Sequence, residues 1–275
     1  MRHRAIATRT DRIGRAALVV AASLVLAFLI LPILAVVPLS LNPTAFLVFP
    51  TQGLSLRWYH VLLESPAWEM AFRNSLIVAT ATMLIATPLG TLAAIGLARM
   101  RGRAQPWLLA LIGAPMVVPV VVVAIAFYLV FAPLGLTSSY TGLVIAHAVL
   151  AAPFVVIVVL ASLHGFDFTL IRAGLSLGAT PVAVLRRVML PLIGPGVAAG
   201  AVFAFMASFD DAVIALFIAG PEQRTLPMQM FDGVREQISP AITAAATLLV
   251  IASALLLGTA ELLRRRASRL PQQHR

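Results

Sequence analysis

Residues 141–163 read TGLVIAHAVLAAPFVVIVVLASL and contain no Asp, Glu, Lys or Arg. A helix needs about 20 apolar residues to cross the roughly 30 Å hydrocarbon core of a bilayer, and this stretch meets that length. Within lipid, only a helix or a closed barrel can satisfy the backbone N–H and C=O groups. The stretch is therefore predicted to be a membrane-spanning helix.

Apolar runs of spanning length also lie on both sides of this stretch. They cover residues 16–39, 74–98, 107–131, 192–218 and 241–263, so six transmembrane helices are predicted. The composition agrees, because 61% of the 275 residues are hydrophobic and 11% are charged, against about a quarter charged in soluble domains. The first run exceeds the roughly 7 to 15 apolar residues of a signal peptide and is expected to be retained. The predicted fold class is all-α integral membrane.

The arginines predict the orientation of these helices, because short cytoplasmic segments collect positive charge. All 20 basic residues are Arg, and most of them precede residue 16, follow residue 263, or lie in the turn 99–103 and the segment 164–191. Only Arg57, Arg73, Arg224 and Arg235 fall in the opposite loops. Both termini are therefore predicted to be cytoplasmic. The arginines are scattered between apolar runs, which argues against nucleic-acid binding.

Several classes of function are excluded by residue types that the chain lacks. Without Cys there is no disulfide framework, thiolate metal site or Cys nucleophile. Without Lys there is no phosphate-binding loop ending in Gly-Lys-Ser/Thr. No Ser/His/Asp grouping or His cluster suggests catalysis. We therefore predict no catalytic residue, metal site or cofactor, and any ATP hydrolysis belongs to another chain.

The segment 164–191, between the fourth and fifth predicted spans, is far longer than the 2 to 8 residues typical of helix connections. Apolar and small residues recur there at helical spacing, are interrupted by Gly178 and Ala179, and then resume. The members of this stripe are Leu170, Ala173, Gly174, Leu177, Val182, Leu185 and Val188. The pattern predicts a cytoplasmic helix-turn-helix that lies either in a groove of a partner protein or on the bilayer surface.

Residues 172–179, RAGLSLGA, followed by Leu190-Pro191, resemble the cytoplasmic EAA loop of ABC importer permeases. That family pattern is roughly EAA, three residues, GA and then LP. Four later groups resemble the spermidine/putrescine branch of the family: Ser208-Phe209-Asp210-Asp211, Gly220-Pro221, Thr225-Leu226-Pro227 and Ser239-Pro240. The resemblance covers about residues 72–263.

This resemblance implies a type I importer permease of the inner membrane with a cytoplasmic coupling helix-turn-helix between helices 4 and 5, here called the coupling segment (164–191). The implied partners are an ABC ATPase dimer, a second permease subunit, an extracytoplasmic solute-binding protein and membrane lipid. The implied division is an N-terminal helix and outer loop (1–71), a permease core (72–263) and a basic tail (264–275). The implied solute is a polyamine such as putrescine or spermidine, with an iron chelate, thiamine or an opine as the alternative solute and a self-sufficient secondary carrier as the alternative class.

The family's loop residues fall on seven positions of this chain, which are expected to couple it to the ATPase: Arg172, Ala173, Gly174, Gly178, Ala179, Leu190 and Pro191. Arg172 stands where the family has Glu, so the charge is reversed. The ATPase of this system is therefore expected to present an acidic or neutral group opposite Arg172.

Asp210 and Asp211 are the acids within the predicted spans, where a charge costs about 2.5 to 3.5 kcal/mol at the helix centre. Asp210 lies 18 residues beyond Leu192, or about 27 Å along a helix, so the pair is expected near the outer side. The chain is predicted to bend at residues 208–211 and to continue as a short helix. The two carboxylates could attract a polycation in an outward-facing cavity, or Ser208 or Asp210 could cap the short helix. The candidate residues of the substrate pathway are Asp210, Asp211, Ser208 and His147. His147 is either a gate or proton relay, or a packed, hydrogen-bonded histidine.

Overall fold

The computed structural model describes residues 9–48, 50–51, 53–100, 102–236 and 239–268. Across these ranges the regular structure is helical, as predicted. The α-helices are α1 (Arg9–Ser40), α2 (Arg57–Glu64), α3 (Pro66–Arg99), α4 (Ala104–Val117), α5 (Val120–Phe131), α6 (Tyr140–Leu163), α7 (Thr169–Ser176), α8 (Pro181–Val184), α9 (Leu190–Phe209), α10 (Val213–Ile218), α11 (Leu226–Glu236) and α12 (Pro240–Ser268). A π-helical turn, Leu185–Met189, joins α8 to α9.

Five helical stretches are long and apolar enough to cross a membrane, namely Gly14–Ser40, Pro66–Arg99, Tyr140–Leu163, Pro181–Phe209 and Pro240–Thr259. A sixth span is reached when α4 and α5 are counted together as one broken span. The prediction of an all-α membrane protein is therefore confirmed, and the count of six spans holds when α4 and α5 form one broken span.

The prediction of one continuous helix over residues 107–131 is wrong. Helix α4 ends at Val117, α5 begins at Val120, and the two helices are bent by 98° at the break. Val118 is extended, with φ −70° and ψ 135°, because a following proline disfavours the helical conformation of the residue before it. Pro119 also lacks the backbone N–H that would continue the ladder of hydrogen bonds.

The fifth predicted span, 192–218, is likewise not one helix. Helix α9 ends at Phe209, and the short helix α10 follows after a break at Asp210, Asp211 and Ala212. The predicted bend at residues 208–211 and the short helix beyond it are thus confirmed. At its N-terminal end, α9 begins at Leu190, directly after the π turn. The apolar stretch Pro181–Phe209 therefore joins the second half of the coupling segment to α9.

The chain divides into two compact units. One contains the described residues up to Leu62 and the start of α12 up to Val250, and the other contains residues 63–236 and α12 from Ile251 onward. In the first unit, α1 exposes large apolar side chains along its length, such as Leu18, Phe28 and Leu34. Such a surface is stable against lipid or another apolar protein surface.

The core of the second unit lies where α3, α6 and α9 pack along one another. Small residues let these backbones approach, as is typical of helices in membranes. A Cβ atom added to Gly90 of α3 would lie 2.7 Å from the Cβ of Val155 in α6, and one added to Gly200 of α9 would lie 3.2 Å from a γ-carbon of the same Val155. Val155 is therefore enclosed between two glycines, one on each side.

Candidate functional site

The coupling segment is built from side-chain caps and one glycine turn. The Asp167 carboxylate accepts hydrogen bonds from the backbone N–H and the hydroxyl of Thr169, at 2.8 Å and 2.6 Å, where α7 begins. These bonds hold the pKa of Asp167 below its usual value, because they favour the charged carboxylate. Gly178 has φ +83°, a conformation that L side chains rarely adopt, and reverses the chain after α7. Thr180 then caps α8 by accepting a hydrogen bond from the N–H of Ala183.

The face that this segment buries differs from the predicted stripe. Ile171, Val184 and Met189 are buried and belong to one apolar cluster with the C-terminal part of α3. Leu177 and Val182 of the predicted stripe are 89% and 61% exposed. The stripe is predicted to contact a partner protein or the bilayer rather than the core of the chain, so it stays a prediction.

Among the seven positions taken from the EAA pattern, Gly174 packs against the side chain of Val184, and a Cβ added there would lie 3.0 Å from a methyl carbon. Gly174 therefore sets the distance between α7 and α8. Ala179 and Leu190 are half-buried, whereas Arg172, Ala173, Gly178 and Pro191 are exposed. Arg186 and Arg187 in the π turn are exposed as well. The segment thus presents a basic surface around a fixed helical hairpin.

A cavity of about 490 Å³ lies beside the break between α9 and α10. Its wall includes apolar side chains of α4, α6 and α9, among them Met116, Phe154 and Phe203. Asp210 and Asp211 are the charged residues of this wall. The cavity therefore combines a largely apolar surface with two adjacent carboxylates, a setting in which a cation with an apolar body is bound well.

Asp211 also organises the backbone at the break. Its Oδ2 accepts a hydrogen bond of 2.8 Å from the N–H of Ile214, in the first turn of α10. The prediction that Ser208 or Asp210 caps the short helix is therefore wrong in its residue, because Asp211 makes the capping bond. Asp210 is exposed, whereas Ser208 is buried and turned into the helix bundle.

A polar cluster inside the bundle includes the predicted residues Ser208 and His147. His147 of α6 is 1% exposed, and its Nδ1 lies 2.7 Å from the hydroxyl of Ser208. The Ser208 hydroxyl is also 3.3 Å from the hydroxyl of Thr82 in α3. The other ring nitrogen of His147, Nε2, lies 3.6 Å from Oδ2 of Asp211. The structure therefore brings three of the four predicted pathway residues together, with Asp210 beside them in the cavity wall.

Sequence reasoning missed the contacts that hold the loop after α10. The amide of Asn74 donates hydrogen bonds to the carbonyl oxygens of Glu222 and Arg224, at 2.8 Å and 2.9 Å, and accepts one from the hydroxyl of Tyr140. The Ser75 hydroxyl accepts a hydrogen bond from the N–H of Leu226. Two consecutive polar residues at the start of an apolar run were the available signal. Their partners in that loop lie about 150 positions away in the chain and cannot be read from local pattern.

Comparison with solved structures identifies the class of protein that has this fold. The chain superposes on a bacterial alginate ABC transporter, solved in complex with an alginate pentasaccharide-bound periplasmic protein, with a TM-score of 0.71 and 17% sequence identity over 95% of this chain and 96% of that chain. The fold is that of an ABC importer permease.

Sequence comparison then gives the family. Residues 86–269 match the family described as binding-protein-dependent transport system inner membrane component. The spermidine/putrescine transport system permease protein PotC of Escherichia coli (strain K12) is 34% identical over 87% of this chain and 90% of its own length. The putrescine transport system permease protein PotI of the same strain is 36% identical over 81% and 82%. The chain belongs to this permease family, and it is a transport subunit rather than an enzyme.

Proposed function

We propose that this permease forms half of the membrane pathway of an importer for polyamines such as putrescine and spermidine. Its partners in that importer are a second permease subunit, an ABC ATPase dimer and an extracytoplasmic binding protein. We assign residues 72–263 to the permease core, residues 1–71 to an N-terminal transmembrane helix and first extracytoplasmic loop, and residues 264–275 to a basic cytoplasmic tail.

The observation that carries this proposal is the pair of carboxylates in the wall of an otherwise largely apolar cavity. A polyamine has ammonium groups separated by methylene chains. Its charges match Asp210 and Asp211, and its methylenes match side chains such as Phe154 and Phe203. An anionic solute would meet two like charges in this wall. Two relatives of 34% and 36% identity are permeases of spermidine/putrescine and putrescine transport systems, which supports the same substrate class.

The proposal is tested by purifying the tagged chain from its native membrane in mild detergent and identifying the subunits that accompany it. The complex is then reconstituted in proteoliposomes, and its ATPase is measured with binding protein and putrescine, spermidine or neither. We expect a P-loop ATPase and a second permease to copurify, and polyamine-loaded binding protein to raise the ATPase rate. An ATPase partner without any polyamine response would discard the substrate, and transport by the purified chain alone would indicate a secondary carrier.

We also propose that both termini and the coupling segment face the cytoplasm, since most of the arginines lie in those parts of the chain. The absence of Cys makes this directly measurable, because each introduced Cys is the single thiol of the chain. Ser176 and His60 are both exposed, in α7 and in α2 respectively. We expect a membrane-impermeant maleimide added to intact spheroplasts to label His60→Cys and to leave Ser176→Cys unlabelled until the membrane is opened. The reverse pattern would invert the proposed orientation.

The reversed charge of the coupling segment gives a second prediction. Arg172 is exposed on α7 and is proposed to face an acidic or neutral group of the ATPase. Arg172→Glu is therefore expected to lower the substrate-stimulated ATPase rate by about three- to tenfold, because like charges across an interface are unfavourable. Arg172→Gln is expected to have a smaller effect.

The control for this measurement is Arg103→Glu, which reverses another exposed charge that lies in the turn before α4, outside the coupling segment. It is expected to leave the ATPase rate near that of the unchanged protein. A higher rate for Arg172→Glu than for Arg172→Gln would mean that the ATPase presents a basic group there, against the proposal.

A further inference from the structure

The second ring nitrogen of His147, Nε2, is a fully buried polar atom inside the bundle. It has no hydrogen-bond partner among the residues that the structure describes. It points at the Asp211 carboxylate from 3.6 Å, beyond the 2.7 to 3.2 Å of a hydrogen bond to nitrogen. Buried polar atoms without a partner are rare in folded proteins, so this one requires a physical explanation.

The neighbouring groups determine which ring nitrogen carries the proton. If Nε2 were bare, its lone pair would face the negatively charged oxygen of Asp211, which is unfavourable. An N–H at Nε2 is attracted to that oxygen. With the proton on Nε2, Nδ1 accepts the hydrogen bond of the Ser208 hydroxyl, and this contact of 2.7 Å is much shorter than the 3.3 Å between the hydroxyls of Ser208 and Thr82. Ser208 on α9 thus holds the His147 ring with its Nε2–H directed at Asp211.

Asp211 contacts both the backbone and the cavity. Its hydrogen bond to Ile214 ties it to the short helix α10, and it belongs at the same time to the cavity wall. A movement of about 0.5 Å would bring Oδ2 within hydrogen-bond distance of Nε2. The carboxylate therefore lies between two possible partners, a cation in the cavity and the imidazole N–H behind it.

We propose that His147 is a positioning residue of the cation site, whose Nε2–H takes over the Asp211 carboxylate when the transported cation leaves. This inference rests on the proposed function in taking the solute to be a cation. An Asp211 carboxylate with backbone N–H partners alone would hold its cation too strongly, because a charge in an apolar wall is costly to leave uncompensated. The His147 N–H provides an alternative partner and thereby makes release of the cation easier. Asp211 binds the cation in one conformation of the permease and His147 in another. Release of the cation is therefore linked to the distance between α6 and the break between α9 and α10.

Two amide substitutions separate the roles of the two ring nitrogens. The side-chain amide of His147→Asn reaches about as far as Nδ1 and retains the contact with Ser208 only. The amide of His147→Gln reaches about as far as Nε2 and can donate to Asp211. We expect His147→Asn to lower the maximal rate of putrescine uptake about tenfold, because the loss of one hydrogen bond to a charged group changes a rate by about this factor. His147→Gln is expected to restore most of that loss, and the KM is expected to stay unchanged in both because the binding protein captures the solute. Equal losses in the two variants would overturn the proposal, since they would indicate a packing role.

A second measurement needs no transported solute. The apparent Tm of the purified importer complex is compared for His147→Gln and His147→Asn, first with Asp211 present and then in an Asp211→Asn background. If His147 acts through Asp211, the Gln variant is more stable than the Asn variant only while the carboxylate is present. An identical difference in both backgrounds overturns the proposal.

The two measurements also separate this inference from the proposed substrate. A Tm difference that depends on Asp211, in a complex that transports neither putrescine nor spermidine, rejects the polyamine and supports the His147–Asp211 exchange for another cation. If the complex transports polyamines but the Tm difference between the two His147 variants is the same with and without the Asp211 carboxylate, the polyamine is retained as substrate and the role of His147 is rejected.

Discussion

Replacing Asp211 by Asn is expected to lower the maximal rate of putrescine uptake by about 10- to 100-fold in proteoliposomes that contain the complete importer. The loss corresponds to one hydrogen bond between charged groups, about 1.5 to 3 kcal/mol. Asn keeps a side-chain oxygen that can accept the hydrogen bond from Ile214, so α10 stays capped while the charge is removed. The measurement is uptake of labelled putrescine at several concentrations, normalised to the amount of assembled complex.

Two further substitutions show whether this effect belongs to the cavity. Asp210→Asn removes the exposed neighbour in the same wall and is expected to have a smaller effect, since solvent screens its charge. Glu222→Gln removes an exposed acid from the loop after α10, outside the cavity wall, and is expected to leave uptake unchanged. Equal uptake for Asp211→Asn and Glu222→Gln would rule out Asp211 as a cation ligand.

The positions of the spanning helices could be predicted from the sequence because lipid leaves the backbone few alternatives. A run such as residues 141–163 has to form its hydrogen bonds internally, so its length and hydropathy largely determine its structure. Helix α6 accordingly covers Tyr140–Leu163. The bend after Phe209 was predictable for a related reason, since two adjacent carboxylates within an apolar run indicate a break where they can be solvated.

The break at Pro119 could not be predicted in the same way. Pro88, Pro153 and Pro195 also lie within apolar runs, and helices α3, α6 and α9 continue through them. A proline removes one hydrogen bond in every case, and neighbouring helices decide whether the result is a kink or a break. That decision depends on packing between distant parts of the chain, which local pattern does not contain.

The functional residues also divide into those that local pattern reveals and those that depend on distant contacts. Asp210 and Asp211 were found because acids are conspicuous in a span. Thr82 was not found, because a hydroxyl in an apolar helix is common and acquires meaning only from Ser208, 126 positions later. The buried face of the coupling segment, which includes Ile171, Val184 and Met189, packs with the C-terminal part of α3, and local pattern does not reveal this contact.

Replacing Gly90 by Ala is expected to destabilise the permease by about 1 to 3 kcal/mol, the usual effect of overpacking a core. The added Cβ would lie 2.7 Å from the Cβ of Val155 and 3.2 Å from the carbonyl oxygen of Ala152, and neither atom belongs to a flexible chain end. Val155 cannot move away freely, since Gly200 leaves it little space on its other side. We expect a fall of several degrees in the apparent Tm of the purified complex.

The matched control is Gly96→Ala, six residues further along the same helix. A Cβ added at Gly96 meets no atom within 4 Å, so the substitution changes the helix propensity without creating a clash. Ala is favoured over Gly in a helix by about 1 kcal/mol, and the apparent Tm is therefore expected to stay equal or to rise. The opposite signs expected for two Gly→Ala changes in one helix separate close packing from helix propensity. If both variants raised the Tm, α3 and α6 would not approach each other at Gly90 as closely as this structure requires.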